Sequence, residues 1–370
     1  MKTFLAVVML LHGLIHSMGF AKAFGFTKAD RLTAAIPWPF GLLWLLATLV
    51  FSVSAIALLS KKEWWPAMAI LAAAISQILI IIYWKDAKYG TLANILILLA
   101  SIPSYGSYRF QNQAIKAART QWVHEVSANT AVVDSQDLAH MPPTIQKWML
   151  ASGVVGRQKP VSAHIKQKGR MKRDPDGKWM PFTAAQYIDT RAPGFVWIAK
   201  VTAFPLVYLD GQDKLEKDKG EMRILLSGLF PVVDVGPGDK INPAALQRYL
   251  AEIGWAPSAA LNEHMVWEAL DTHSAKATIS IGNLAVSGIF KFNSQGDMIS
   301  FETERYFGDG ADARLEKWLI EVLEHREFQG YTIPSKCMVT WKLWEGDFNW
   351  LALEIEEVNY YPDLSSIPER

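Results

Sequence analysis

ATISIGNLAVSGIFKFNSQGDMISFETERYF, residues 277–307, carries the reading that decides the fold of the larger part of the chain. β-Branched and aromatic residues recur in alternation, and NSQG at 293–296 separates two such runs with residues that favour a tight turn. Two strands joined in this way pair antiparallel. In MISFETERYF the alternation assigns Ile299, Phe301, Thr303 and Arg305 to one face and Ser300, Glu302 and Glu304 to the other. The face with Ile and Phe is the inner one, so Arg305 is expected to point inward. There it needs a partner, either a protein carboxylate such as Asp234 or Glu252 or an anionic group on a bound molecule.

The same strand signal recurs in SAHIKQKGRM (162–171), FTAAQYIDT (182–190), FVWIAKVTAF (195–204), EMRILLSGLF (221–230), CMVTWKLWE (337–345) and FNWLALEIEEVNYY (348–361). DPDG at 174–177, DG at 210–211 and EGD at 345–347 read as further hairpin turns. By alternation Gln186 shares a face with Phe182 and Ala184. MPPTIQKWMLASGVVG, from Met141, opens on Pro and closes on Gly153, the pattern of a short helix. A similar segment, NPAALQRYLAEIGWAP, follows 101 residues later, matching Pro142 to Pro243, Trp148 to Tyr249 and Gly153 to Gly254. An internal duplication explains this; the alternative, that proline-initiated amphipathic helices resemble one another by composition, stays open. ADARLEKWLIEVLEHREF (311–328) places Leu315, Trp318, Leu319, Val322 and Leu323 at helical spacing and predicts one more helix.

The first hundred residues read differently. Uncharged stretches of 19, 29, 21 and 20 residues lie between Lys2 and Lys22, Arg31 and Lys61, Glu63 and Lys85, and Lys88 and Arg109. Each approaches or exceeds the roughly 20 residues that cross a bilayer as a helix, and Trp and Tyr sit near their ends. The first is too long for a signal-peptide core, contains two histidines and is followed by no A-x-A-like cleavage site. The sequence thus predicts an α+β protein. Residues 1–108 form a transmembrane region with helices near 3–21, 37–60, 64–84 and 88–107, and 109–140 a connector. A soluble, curved antiparallel β-sheet domain with covering helices spans 141–361, and 362–370 form a tail. An integral, multi-pass membrane protein follows. Lys2, Lys61, Lys62, Arg109, Lys116 and Arg119 flank one side, against Lys22, Lys28, Arg31, Lys85 and Lys88 on the other, a slight lean towards a cytoplasmic sheet domain.

His12 and His16, four apart near the middle of the first span, share a helix face at a depth where polar groups must meet protein. Gln77 and Asn94 lie at comparable depth, so these four form an expected intramembrane polar cluster. Interhelical hydrogen bonding accounts for it more simply than a proton or ligand site, and no carboxylate or cysteine in the spans completes a metal site.

Residues 1–105 carry a net charge of +5 and residues 106–370 a net −4, with no basic run, which argues against nucleic acid as a partner. A single cysteine, Cys337, excludes an intramolecular disulfide and any multi-cysteine metal centre. No nucleophile elbow, zinc-protease, P-loop or dinucleotide motif occurs. His124, His140, His164, His264, His273 and His325 lack metal-like spacing. No catalytic residue, metal or cofactor is expected, and VDVGPGDK reads as a turn. Ten of the 15 tryptophans lie beyond Tyr105. An aromatic pocket is therefore expected, with Arg305 and Gln186 as polar anchors and Trp179, Phe182, Trp197 and Phe301 in its wall.

Four separated motifs, WMPFTAAQ (Trp179–Gln186), PGFVW (Pro193–Trp197), RYLAE (Arg248–Glu252) with Trp255 and Pro257, and Ile333–Pro334 with Val339 and Trp341, occur here in that order. They resemble an uncharacterised bacterial family whose members join a hydrophobic N-terminal region to such a domain. The resemblance covers about residues 140–361. It implies a β-rich domain and brings no activity, substrate or catalytic residue; the expected location, from the spans, is a bacterial inner membrane. In outline a curved sheet with helices is similar to lipid-carrier folds. The expected function is a membrane-anchored module binding an apolar or amphiphilic ligand, a lipid or acylated molecule, beside its bilayer partner. The alternatives are an enzyme built on Glu252, Asp234 and Arg305, or an assembly partner of another membrane protein.

Overall fold

The structure, a computed structural model, describes residues 1–27, 32–123, 131–308 and 313–361. Lys28, Arg31, His124, part of the expected connector and the expected tail 362–370 lie outside the described residues. The chain divides into two compact units. One comprises Met1–Phe110 with Phe204–Tyr208 and Leu226–Phe230; the other comprises Gln111–Ala203, Leu209–Leu225 and Pro231–Arg370.

The first unit is built on helices α1 (Lys2–Ala23), α2 (Trp38–Leu59), α3 (Trp65–Ile82), the single turn α4 (Trp84–Ala87) and α5 (Gly90–Val123). Pro39 and Pro66 fall in the first turns of α2 and α3, where the missing N–H costs nothing. Among the described residues, four helices are long and apolar enough to cross a membrane. Their residue distribution inverts that of a water-soluble bundle. Ala6, Ala47, Ala69, Ala72, Ser54 and Ser76 are buried, whereas Leu11, Leu14, Leu46, Ile56, Ile78 and Leu99 face outward. Small residues let helix backbones approach where no hydrophobic effect drives them together. At Gly19 a Cβ would stand 2.3 Å from the Trp44 ring, so α1 and α2 could not pack as they do with any larger residue.

The second unit holds helices α6 (Pro143–Ala151) and α7 (Ile241–Glu252) and a curled antiparallel sheet of 13 strands. These are β1 (Ser162–Met171), β2 (Met180–Asp189), β3 (Gly194–Phe204), β4 (Val207–Glu216), β5 (Lys219–Leu226), β6 (Phe230–Val235), β7 (Met265–Ala269), β8 (Ser274–Ile281), β9 (Leu284–Phe292), β10 (Met298–Phe307), β11 (Arg314–Phe328), β12 (Tyr331–Leu343) and β13 (Gly346–Tyr361). Their order is β6-β5-β4-β3-β2-β1-β13-β12-β11-β10-β9-β8-β7. Both halves therefore repeat one helix followed by a meander, in the same sense across the sheet, and β1 joins β13 at the seam. The repeat is imperfect, since Gly153 is left-handed at φ +75 and Gly254 is not. Ile145, Trp148, Met149, Leu246, Tyr249 and Leu250 turn from the helices into one core with the inner faces of the strands.

The structure corrects four expectations. Residues 314–328 form strand β11, not a helix, paired with β10 and β12. Positions 318 and 322 share a face at either period, so the helical spacing was ambiguous; Ile320, buried between them, and exposed Leu315 and Leu323 show period two. Asp210 and Gly211 lie inside β4 and make no turn. The run 221–230 contains the end of β5, a turn at Ser227–Gly228 and the start of β6, and the run 277–292 is two strands hinged at Gly282. Finally, the ladder slips between Met298 and Ser300, so Met298 takes the inner place and Ile299 is 41% exposed. A bulge of this kind exchanges faces on one side only. Phe301, Thr303 and Arg305 keep the inward face.

Candidate functional site

Inner positions of β1–β5 and β10–β13, together with one face of α7, enclose a cavity of about 250 Å³. Strand alternation supplies the wall: Trp197, Ala199 and Val201 from β3, Leu209, Gly211 and Asp213 from β4, and Trp318, Ile320 and Val322 from β11. Small residues at the centre of two of these triplets leave the space, since a Cβ on Gly211 would lie 4.0 Å from both Trp197 and Ile224. Methionines 171, 222 and 298 and Cys337 add soft, adaptable surface. Burial pushes the Cys337 thiol up to about 12, so it behaves as a small hydrophobe and not as a nucleophile.

A charged cluster stands in this apolar wall. Arg248 Nε donates to Glu252 Oε1 at 2.8 Å, one helical turn along α7, and its Nη1 donates to Asp213 Oδ2 at 2.5 Å. Its guanidinium also lies 4.7 Å from the centre of the Trp197 ring and 5.0 Å from that of Phe195. Burial works against this charge, but Glu252 and Asp213 outweigh it and hold the Arg248 pKa above its ordinary value. Burial likewise pushes the Glu252 carboxyl up, against the pull of Arg248. The other Glu252 oxygen accepts from Gln186 Nε2 at 2.5 Å; Gln167 Nε2 donates to Gln186 Oε1, and Trp197 Nε1 to Gln167 Oε1, each at 2.9 Å. Each link has a donor and an acceptor, so the chain Trp197–Gln167–Gln186–Glu252–Arg248–Asp213 is satisfied along its length.

Arg305 is the exception. It lines the same cavity, with its guanidinium carbon 4.7 Å from the Trp318 ring centre and 6.0 Å from that of Trp341. No carboxylate among the described residues pairs with it, and its Nε is sealed from solvent without a hydrogen-bond partner. Burial lowers its pKa to about 10, which still leaves it charged at neutral pH. The cavity thus contains two cations and two anions, but both anions are engaged by Arg248.

Of the residues expected from sequence, Arg305, Phe182 and Trp197 line the cavity. Gln186 is fully buried behind the wall and acts through Gln167 and Glu252. Trp179 is outside, beneath Arg170 and Lys172 at 5.0 and 5.4 Å, and Phe301 packs in the core against Phe290 and Trp318. Alternation identifies a face, but that face extends beyond the cavity. Asp234 is exposed and loosely paired with Arg223 at 3.8 Å, so the triad Glu252, Asp234 and Arg305 does not converge. Asp213 and Arg248 are the charged residues that sequence reasoning missed. The i, i+4 spacing of Arg248 and Glu252 and the alternation Leu209, Gly211, Asp213 were the available signals.

In the helical unit the four expected polar residues do meet. His12 Nε2 lies 3.0 Å from Asn94 Oδ1 and 3.1 Å from Ser76 Oγ, and Asn94 Nδ2 donates to Ser76 Oγ and Gln77 Oε1, both at 3.0 Å. His16 Nδ1 is 2.8 Å from the carbonyl oxygen of His12. No group of three or more His, Cys, Asp or Glu with metal-site geometry occurs among the described residues.

No curated protein matches the chain by sequence. Residues 131–353, which include every cavity-lining residue, match the model of a family of unknown function, DUF6544, and the chain belongs to that family.

Proposed function

We propose that the protein is a membrane-anchored binding module whose sheet domain takes an amphiphile with an acidic head and an apolar body, a lipid or an acylated molecule. Arg305 is the observation that carries this reading. A guanidinium facing aromatic rings in an apolar cavity gains some cation–π attraction, but its lost hydration is repaid in full only by an anion. Arg248 has no such vacancy, because Asp213 and Glu252 occupy it. The remaining wall is apolar and methionine-rich, which suits a flexible chain. Its volume of about 250 Å³ is near the lower end of small-molecule sites (~300–1,000 Å³), which fits one acyl arm and not a many-chained lipid. In this reading the four apolar helices fix the module as a multi-pass protein of a bacterial inner membrane, where ligands of this class are plentiful.

The test is native mass spectrometry of the full chain released from lipid nanodiscs. The parent protein is expected to retain an acidic amphiphile and to prefer added myristate to myristyl alcohol. Arg305→Met is expected to fold and to lose that preference. A parent protein that carries no amphiphile and retains neither additive would end this reading.

A further inference from the structure

Two hairpin turns of the sheet belong to the unit of the apolar helices: Phe204–Tyr208, between β3 and β4, and Leu226–Phe230, between β5 and β6. Both lie in uncharged sequence, the first between Lys200 and Asp210 and the second between Arg223 and Asp234. Within this unit Leu206 is buried in the cluster that includes Leu5, Phe51, Trp65 and Ile97. Its φ is +65, at the third position of a Phe-Pro-Leu-Val turn where glycine is the residue of choice. The sequence accepts backbone strain there in order to place an apolar side chain among the helices. The second turn closes through Ser227 (φ +51) and Gly228 (φ +64), and a Cβ on Gly228 would stand 2.1 Å from the carbonyl oxygen of Gly106 on α5. The turns are joined to each other by the bond from Ser227 N–H to the Tyr208 carbonyl, 2.6 Å.

With Leu206 and Gly228 packed against helices, the tips present Phe204, 70% exposed, Phe230, 65% exposed, and Leu229 on the outside of the same unit. Exposed Phe and Leu without an interleaved charge is an arrangement that water disfavours and the headgroup–acyl boundary accepts. The apolar surface is continuous in character with the outward Leu and Ile of the four helices, which share the unit. We propose that these two tips are seated in the bilayer interface, so that the sheet domain is held to lipid at Phe204 and Phe230 independently of the chain connection through α5. The occupant is the lipid bilayer, and the proposal rests on the reading of the four helices as membrane spans.

Nitroxide labels at Phe204→Cys and Phe230→Cys test it in the full chain, reconstituted in vesicles of phosphatidylcholine and phosphatidylglycerol. Buried Cys337 can remain in place. Leu46→Cys, on the outward face of α2, is the lipid reference, and Trp344→Cys, 82% exposed in the β12–β13 turn, is the water reference. Collision with oxygen should exceed collision with a water-soluble nickel chelate at 204 and 230, as at 46, with the ratio inverted at 344. A ratio at 204 and 230 like that at 344 overturns the proposal. Low collision with both reagents means that protein covers the tips, and this also overturns it. If 46 itself reads as water-exposed, the membrane reading has failed first, and the two failures are thereby told apart.

Discussion

The two units bury polar side chains in opposite ways. In the helical unit His12, Ser76, Gln77 and Asn94 are linked by hydrogen bonds of 3.0–3.1 Å, Gln77 donates onward to Thr91, and the Nε2 of His16 is buried without a partner. In the sheet unit the buried cluster includes acidic and basic side chains, and the pairing of Arg248 with Asp213 and Glu252 leaves Arg305 over. Hydrogen bonding of this kind between helices accounts for itself as packing, worth about 0.6–2 kcal/mol per interhelical bond. A charge left without a carboxylate partner does not, since its contact with the Trp318 ring repays only part of the lost hydration. The comparison therefore favours the sheet for the binding role proposed above, although the histidines are the more conspicuous feature of the sequence.

The largest expected effect is at Arg248. Arg248→Met leaves Asp213 and Glu252 buried without their hydrogen-bonded cation and should destabilise the sheet unit by about 3–5 kcal/mol, read by chemical denaturation. Little change would mean that water reaches the cluster. Arg305→Met removes a charge that no described residue pairs with, so without ligand it should be at least as stable as the parent by thermal melting. With myristate added, the parent should gain stability and the variant should not. A loss of about 3–5 kcal/mol in the variant would instead reveal a carboxylate partner.

A third effect is set by pH. His164 lies between the rings of Tyr187 and Tyr361, at 4.4 and 4.6 Å, and burial, aided by Arg119, lowers its pKa from 6.5 to about 3. The folded protein therefore holds a neutral imidazole that the unfolded chain would protonate. This stability is fully present above pH 6.5 and is lost as pH falls towards 3. His164→Gln should flatten that part of the stability–pH curve, and an unchanged slope would remove His164 as its origin. The smallest effect belongs to the helical network. Asn94→Ala should cost about 1–2 kcal/mol in a lipid-based unfolding assay without altering amphiphile retention. A loss of retention would show that the network is more than packing.

Much of this was legible in the sequence because it depends on local periodicity. Uncharged runs located four apolar helices, and alternation with turn residues gave β1 and β10 to the residue and placed Arg305 inward. Where the signal is shared by two periods, as at Trp318 and Val322, it misled. Where a strand is short or polar, as in β4, β6 and β7, it was silent.

By itself the sequence determined which side chains face inward along each strand and helix, since that follows from a repeat of two or 3.6 residues. Tertiary structure alone decided which inward residues meet. Asp213 on β4 reaches Arg248 on α7 across 35 positions of chain, while Asp234, chemically equivalent, ends at the surface. The order of strands around the curled sheet sets such encounters. Each depends on pairing between distant segments, whose register no local pattern encodes. For that reason the inward direction of Arg305 could be read from ten residues, and its lack of a partner only from the folded sheet.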